Sequence, residues 1–450
     1  MGGSAFDHST LPKPRLHVLA NLSAAERAEL LTRAESDLAP FMEQVAPVIE
    51  AVRTEGDAAL VHYAREFDNA QIDDIAATPA DFDAAFASLD PALVETLRYA
   101  ADNIRRFHEA QKPEEMWMKE IRPGVLVGER WSPIDAAAAY APRGKGSFPS
   151  VVLMTLIPAV VAGVRDLYLL TPPGPDGTVD AATLVAARIA GCERVFKAGG
   201  AVAVAAAAYG TETVPRAHLI EGPGSPWFVA AKRLLAGRID TGLPAGPSES
   251  VLLADETANA QVAALDTIIE SEHGSDSSVF LVTPSRALAE AVCEAIPRHW
   301  ADMSEERARY SCDVLSGTSG GVVLTDTLED AYAFVNDYAP EHCQVLSARP
   351  FEHLHAIRNA SEVLLGEWTA GSMANYLMGP NCVLPTAAAA RTRSPLGVRD
   401  FMKSCSIGHA TKPGFDEMAP HTARFATYEG FDAHAAAVGS KRLEALGNER

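Results

Sequence analysis

The sequence predicts an α/β protein whose middle consists of parallel βαβ units flanked by helical ends. From about Ser132 short β-rich runs alternate with helical stretches, and glycine and proline cluster where those runs stop. Near the N-terminus apolar residues recur at helical spacing instead. Strands that alternate with helices are joined by crossover connections, which set successive strands parallel in one sheet.

Taken in order, about 125 residues at the start read as amphipathic helices, with helical periodicity over Ala25 to Leu38 and Leu93 to His108. The first strand set is expected at Ala136 to Pro142, Asp166 to Pro172, Arg194 to Gly200 and Ala217 to Gly224, with helices from Pro149, near Asp180 and near Ala201 between them. A second set is expected at Val251 to Asp255, Val279 to Pro284, Gly321 to Asp326, Cys343 to Ser347 and Glu362 to Gly366. About 40 residues at the C-terminus return to helix. The apolar run Val151 to Val164 contains Pro158 and falls short of the ~20 residues a spanning helix needs, so a buried core helix is expected there. Glycine and proline at the strand ends, in Pro142-Arg-Gly-Lys-Gly, Pro172-Pro-Gly-Pro, Ala198-Gly-Gly and Gly222-Pro-Gly, mark the place where doubly wound sheets hold ligands. The expected division is a helical region over 1–130, α/β domains over 131–249 and 250–385, and a helical region over 386–450.

Composition narrows the function. Across 450 residues, 48% are apolar and 22% charged, the balance of a globular chain, and the formal net charge is −21. That charge repels phosphate backbones and anionic bilayers, and no Lys/Arg run offsets it, which leaves small-molecule chemistry. The six cysteines are scattered without a C-x-x-C pair, so neither a disulfide scaffold nor a cysteine-rich zinc module is expected. Met1 to His8 lacks a basic segment followed by an apolar one, so no secretion signal is expected and the protein is placed in the cytoplasm.

Several local patterns could carry chemistry. Gly144-Lys-Gly146-Ser-Phe-Pro149 and Gly222-Pro-Gly224-Ser-Pro-Trp227 look like dinucleotide fingerprints without their third glycine, and equally like ordinary βα turns. Glu270 and His273 stand three apart on an expected helix and could reach one metal ion, although Glu-x-x-His is also common on solvated helix faces. Glu341 and His342 follow Pro340 just before a strand, where they could form an acid/base pair or a solvated turn.

Widely separated segments then resemble the histidinol dehydrogenase family in order and spacing. They are Tyr140-Ala-Pro, Val152-Leu-Met, Ala198-Gly-Gly-Ala, Tyr209-Gly-Thr-Glu-Thr-Val-Pro, Gly222-Pro-Gly, Ala245-Gly-Pro-Ser-Glu, Ala254-Asp-Glu-Thr, Glu272-His273, Ala339-Pro-Glu-His, Val383-Leu-Pro-Thr and Glu429-Gly-Phe-Asp-Ala-His434. The resemblance implies two incomplete Rossmann-like domains with helical N- and C-terminal regions in an intertwined homodimer. It further implies a Zn²⁺- and NAD-dependent oxidation of a primary alcohol through an aldehyde to a carboxylate. Glu341 and His342 would then be catalytic, Ser248, Cys382 and Glu429 would bind substrate, and Tyr140, Val202 and Ser225 would bind the nucleotide.

Departures from the family pattern modify this expectation. The family's zinc ligands, a Gln and a His in a Gln-x-x-His helix, an Asp and a C-terminal His, read here as Glu270, His273, Asn375 and His434. Amide and carboxylate have changed places, which preserves one negative charge and two imidazoles in the shell. A pocket His is replaced by Cys382, removing an imidazole where histidinol would bind. A nucleotide-contacting Gln and Asn are replaced by Val202 and Ser225. The expected function is therefore a zinc- and NAD-dependent alcohol dehydrogenase acting on a substrate other than histidinol. The alternatives are a zinc-binding homologue without dehydrogenase activity and a genuine L-histidinol dehydrogenase.

Overall fold

The computed structural model describes residues 11–33, 38–143 and 146–447. They fall into two compact units, a larger one of Met1–Gln111 with Ile134–Phe401 and a smaller one of Lys112–Pro133 with Met402–Arg450. In chain order the strands begin with β1 (Leu16–Val18), β2 (Met116–Arg122), β3 (Val125–Pro133) and β4 (Ala136–Tyr140). Next come β5 (Asp166–Thr171), β6 (Val195–Lys197), β7 (Leu219–Glu221), β8 (Glu249–Ala254) and β9 (Ser278–Thr283). The last are β10 (Gly320–Leu324), β11 (His342–Leu346), β12 (Glu362–Leu365) and β13 (Met402–Ala410).

The larger unit holds two parallel sheets, one ordered β6-β5-β4-β7 and one ordered β1-β10-β9-β8-β11-β12. Every residue of β8, β9, β10 and β11 is buried, as expected for strands covered on both faces. Successive side chains point to opposite sides of a strand. Leu252, Leu281 and Val322 accordingly pack with Trp300 and Val292 in one cluster, while Val251, Phe280 and Val323 pack with Phe334 and Tyr338 in another. The expected core helix forms over Pro149–Ala162, buried through most of its length despite Pro158. Among the described residues no helix is long and apolar enough to cross a membrane.

On the four-stranded sheet, helix Gly200–Tyr209 carries six alanines within Ala201–Ala208, all buried. Their small side chains join one core with Val45, Val48 and Val52 of helix Ala39–Glu55 and Leu60 of helix Asp57–Asp68. The N-terminal helices therefore belong to this sheet's core.

Four strands depart from the sequence reading. A helix does not run from Ala25 to Leu38: Ser23 opens one with a capping box over Ala24–Leu30, it caps at Leu31, and the next begins at Ala39. Residues 34–37 of the expected helix lie outside the described residues, as do Gly144 and Lys145 of the first glycine motif. The N-terminal region also contributes β1 to the edge of the six-stranded sheet beside β10. β2 and β3 lie where helix was expected, and β13 opens the expected C-terminal helical region; together they make the smaller unit's antiparallel sheet, ordered β13-β3-β2. Alternation gave no cue here, because all seven residues of β2 are exposed. Helices Lys412–Tyr428, Asp432–Ala437 and Ser440–Leu446 complete the smaller unit.

Candidate functional site

The larger unit gathers its titratable side chains at the starting ends of β8, β11 and β12. Ligands of open parallel sheets usually sit at the opposite, carboxyl ends. Helix Leu328–Tyr338 ends on Ala339 in the left-handed conformation (φ 53°). Pro340 follows, and the turn delivers Glu341 and then His342, the first residue of β11. The Glu249 backbone N–H at the start of β8 donates to Glu341 Oε2 at 2.9 Å. On β12, Glu362 lies opposite His342 in the sheet register and reaches its Nδ1 with Oε2 at 2.8 Å. That bond fixes the ring's orientation and leaves Nε2 on the side of Glu341, whose Oε1 is 3.8 Å away. This gap exceeds a hydrogen bond, so both atoms keep capacity for a third group.

Electrostatics make the pair a unit. Burial pushes the Glu341 carboxyl up to about 8, against the opposing pull of His342. Burial alone would lower His342, but Glu270, Glu341 and Glu362 together outweigh it and raise the imidazole to about 10. Groups coupled this closely exchange protons as a pair.

Glu270 and His273 were expected on one helix. Helix Ala260–Ser271 in fact ends before His273, and Glu272 caps it. The chain continues one tight turn further, with the His273 N–H donating to the Glu270 carbonyl at 3.4 Å, which keeps both side chains on one side. His273 Nδ1 lies 3.0 Å from Glu270 Oε2 and 2.8 Å from Ser248 Oγ. On helix Gly371–Tyr376, the Asn375 amide donates to Glu270 Oε1 at 2.7 Å. Burial would raise the Glu270 carboxyl, but His273 and His342 hold it well below the usual range. Cys382 belongs to the same cluster: burial, then Glu362, Glu270 and Glu341, push its thiol far up, and Sγ donates to the Ala374 carbonyl at 3.1 Å.

Among the described residues no three His, Cys, Asp or Glu side chains form a set able to hold a metal ion. The trio joined through Glu270 has an amide as its third member, which supplies a neutral oxygen once the amide is turned. Its chemistry fits a divalent cation in two respects. The carboxylates Glu270, Glu341 and Glu362 outnumber the imidazoles His273 and His342, and buried Glu362 Oε1 has no hydrogen-bond partner.

The expected nucleotide residues meet elsewhere in the larger unit. Tyr140, Val202 and Ser225 all line a cleft of about 770 Å³ at the carboxyl ends of β4 and β6. Tyr140 is buried, stacks on Phe228 at 4.1 Å and accepts the Gly200 N–H at 3.0 Å through its hydroxyl. Val202 is also buried, whereas Ser225 is exposed and its hydroxyl makes no capping bond to helix Pro226–Leu235. Gly222 has φ 139°, and a Cβ there would stand 2.2 Å from the Tyr140 carbonyl, so glycine is required for the chain to pass. A second cavity of about 450 Å³ opens beside His273, lined also by Phe148, Ser150, Arg307 and Tyr376.

Of the twelve residues singled out from the sequence, the larger unit thus brings Ser248, Glu270, His273, Glu341, His342, Asn375 and Cys382 into one cluster. It places Tyr140, Val202 and Ser225 along one cleft. Glu429 and His434 belong to the smaller unit, where Glu429 caps helix Lys412–Tyr428 and His434 packs 5.2 Å from the Phe431 ring; both are exposed. Sequence reasoning missed Glu249 and Glu362. Glu249, which pairs with Arg33 at 2.9 Å, stood inside a quoted motif, but the start of β12 offered no signal that Glu362 meets an imidazole.

The two parallel sheets, one beside a cleft of about 770 Å³ and the other carrying a buried carboxylate–imidazole cluster, define an α/β protein. The chain belongs to the histidinol dehydrogenase family, whose model matches residues 31–442. It is 58% identical over 428 residues to a "histidinol dehydrogenase homolog" of Cereibacter sphaeroides, covering 94% of this chain and 97% of that one. It is 43% identical over 426 residues to the histidinol dehydrogenase of Synechocystis, covering 94% and 98%. The crystal structure of histidinol dehydrogenase from Elizabethkingia anophelis superposes with a TM-score of 0.91 at 32% identity, covering 96% and 98%.

Proposed function

We propose that the protein is a zinc-dependent, NAD-linked dehydrogenase that oxidises a small primary alcohol through an aldehyde to a carboxylate, and that its substrate is not L-histidinol. Zinc-dependent NAD-linked oxidation is the general chemistry of the family. The observation that carries the reading is the convergence of Glu341, His342 and Glu362 with Glu270, His273 and Asn375. Glu270, His273 and Asn375, with His434 of the smaller unit, are the residues that would hold zinc, while Tyr140, Val202 and Ser225 would flank NAD. When bound, zinc supplies Lewis-acid polarisation of the substrate oxygen, and NAD supplies the hydride acceptor. Two NAD⁺ are consumed per alcohol, because alcohol to carboxylate is a four-electron oxidation that also takes up one water. His342, oriented by Glu362 and raised to about 10, takes the alcohol proton once it has given up its own; Glu341, held neutral at moderate pH by burial, takes the proton of the attacking water once ionised.

Cys382 supports the exclusion of histidinol. Its thiol stays protonated and is spent on the Ala374 carbonyl, so it cannot replace a lost imidazole. Zinc-loaded protein should be incubated with NAD and a panel of primary alcohols bearing amine, carboxylate or sulfonate groups, with reduced nicotinamide read by absorbance. At least one alcohol is expected to turn over, and L-histidinol on the order of 10³-fold more slowly than by an ordinary family member. Histidinol turnover at a specificity constant typical of efficient enzymes would overturn the substrate reading. Val202 and Ser225 favour a second reading, a zinc-binding homologue without dehydrogenase activity, which failure of the whole panel would select.

The assembly proposed is a homodimer, localised in the cytoplasm, with neither nucleic acid nor membrane as a partner. The smaller unit exposes Met116, Trp117, Met118, Ile121, Phe425, Tyr428 and Phe431, more apolar surface than so small an antiparallel layer leaves wet. A second copy is the occupant the family resemblance favours. Sedimentation equilibrium at micromolar concentration is expected to give twice the 47.8 kDa chain mass; a monomer at that concentration would rule the dimer out.

A further inference from the structure

We propose that Gln344 is a positioning residue for the zinc site: its two amide hydrogens fix the spacing between the strand that carries His342, the helix that carries Glu270 and the short helix that carries Asn375. This rests on the zinc-binding reading above. Gln344 lies two residues beyond His342 on β11, so the two side chains share a face of the sheet. Asp266 precedes Glu270 by four on helix Ala260–Ser271, so those two share a face of the helix. Across this interface the buried Gln344 amide donates to Oδ2 of the buried Asp266 at 2.5 Å. Its second hydrogen goes to the Thr369 carbonyl at 3.0 Å. Thr369 is itself anchored to the end of β12, its hydroxyl donating to the Leu365 carbonyl at 2.8 Å and its N–H to the Gly366 carbonyl at 3.2 Å. Helix Gly371–Tyr376, which holds Asn375, starts just after it.

One helical turn beyond this contact, Glu270 joins His273 at 3.0 Å and Asn375 at 2.7 Å. Glu270 and Asn375 come from separate elements, and they stay within reach of one ion only while those elements keep their separation. Gln344 is bonded to the first element directly and to the foot of the second through Thr369. Stability alone does not call for an amide here. In the sheet register Gln344 lies between Leu252 and Leu364, and a buried polar pair adds little over an apolar pair of the same shape. What the polar pair supplies is one permitted distance and direction, because a hydrogen bond weakens steeply away from both. A metal site depends on that kind of support from contacts outside its ligands.

The test is zinc affinity, independent of turnover, measured by competition with a chromogenic chelator on the full-length protein. The wild type is compared with Gln344→Met, Asp266→Asn and the double variant Asp266→Leu/Gln344→Met. Thermal melting of each is followed without zinc, because bound zinc itself stabilises. Methionine keeps the length of Gln344 but has no donor, and Gln344→Met is expected to bind zinc about 10- to 100-fold more weakly than the wild type. Asp266→Asn still offers Gln344 an oxygen and should retain the wild-type affinity to within about twofold, well short of that loss. The double variant leaves no carboxylate unpaired, so it should melt close to the wild type and yet bind zinc as weakly as Gln344→Met. Wild-type zinc affinity in Gln344→Met or in the double variant would overturn the proposal, as would an Asp266→Asn as weak as Gln344→Met. Should the double variant melt far below the wild type, Gln344→Met against Asp266→Asn decides by the same limits. A wild type that binds no zinc would remove the zinc-binding reading and this proposal with it.

Discussion

His342→Gln is expected to lower kcat/KM for both oxidations by 10²–10⁴-fold, the usual weight of a positioned proton acceptor. Glutamine keeps the volume and can still donate to Glu362, but it has no nitrogen that takes up and releases a proton. Glu341→Gln should act unevenly. Hydration of the aldehyde needs an oriented water and a group to take its proton, and Glu341 is the carboxyl whose burial raises it to about 8. Oxidation of the aldehyde should therefore fall further than oxidation of the alcohol. The two half-reactions are measured separately by supplying alcohol or aldehyde with NAD in single-turnover format. Equal losses would show that Glu341 and His342 do not divide the work in this way.

Exchange of the carboxylate and amide in the proposed zinc site should give the second large effect. Two imidazoles, one carboxylate and one amide around Zn²⁺ leave about +1 of local charge, and affinity follows ligand charge and type. Glu270→Gln leaves two amides and should strip most of the zinc. Asn375→Asp sets a second carboxylate where the Asn375 amide now lies 2.7 Å from Glu270 Oε1, so without metal the two anions repel. The double variant Glu270→Gln/Asn375→Asp restores the usual family arrangement and should recover much of the zinc lost by Glu270→Gln. Such a cycle is non-additive because both groups share one partner. Zinc per chain after dialysis against a mild chelator is the measurement, with His273→Ala and His434→Ala as controls. If Glu270→Gln keeps its zinc while both controls lose theirs, Glu270 is not a ligand.

The parts of this architecture that the sequence displays are those whose physics is local. β4 to β12 were readable because each is a short apolar run bounded by glycine or proline, and burial on both faces makes such runs conspicuous. β1 has only three residues and exists because β10 offers it an edge, a condition no local window contains. β2 and β13 were hidden for the opposite reason: their side chains are largely exposed, so no apolar alternation marks them. At the site, Glu341 and His342 stood out as neighbours after Pro340. Glu362 meets His342 only because β11 and β12 pair in that register.

The pairing of β1 with β10, in which Leu16 lies opposite Val322, also imposes an order of events on synthesis. At 5–20 residues per second, roughly 15 to 60 s separate the emergence of the two partners from the ribosome. During that interval the first segment has no sheet to join. Once β10 arrives it carries five residues, Gly320 to Leu324, that are all buried in the finished protein. Its outer edge stays open until the waiting segment closes it. An unpaired apolar edge of this kind is a template for association between chains. A few residues before the first helix thus act as the plug of a sheet whose other strands emerge tens of seconds later, and trimming them would leave the other five strands in place but adhesive along one side.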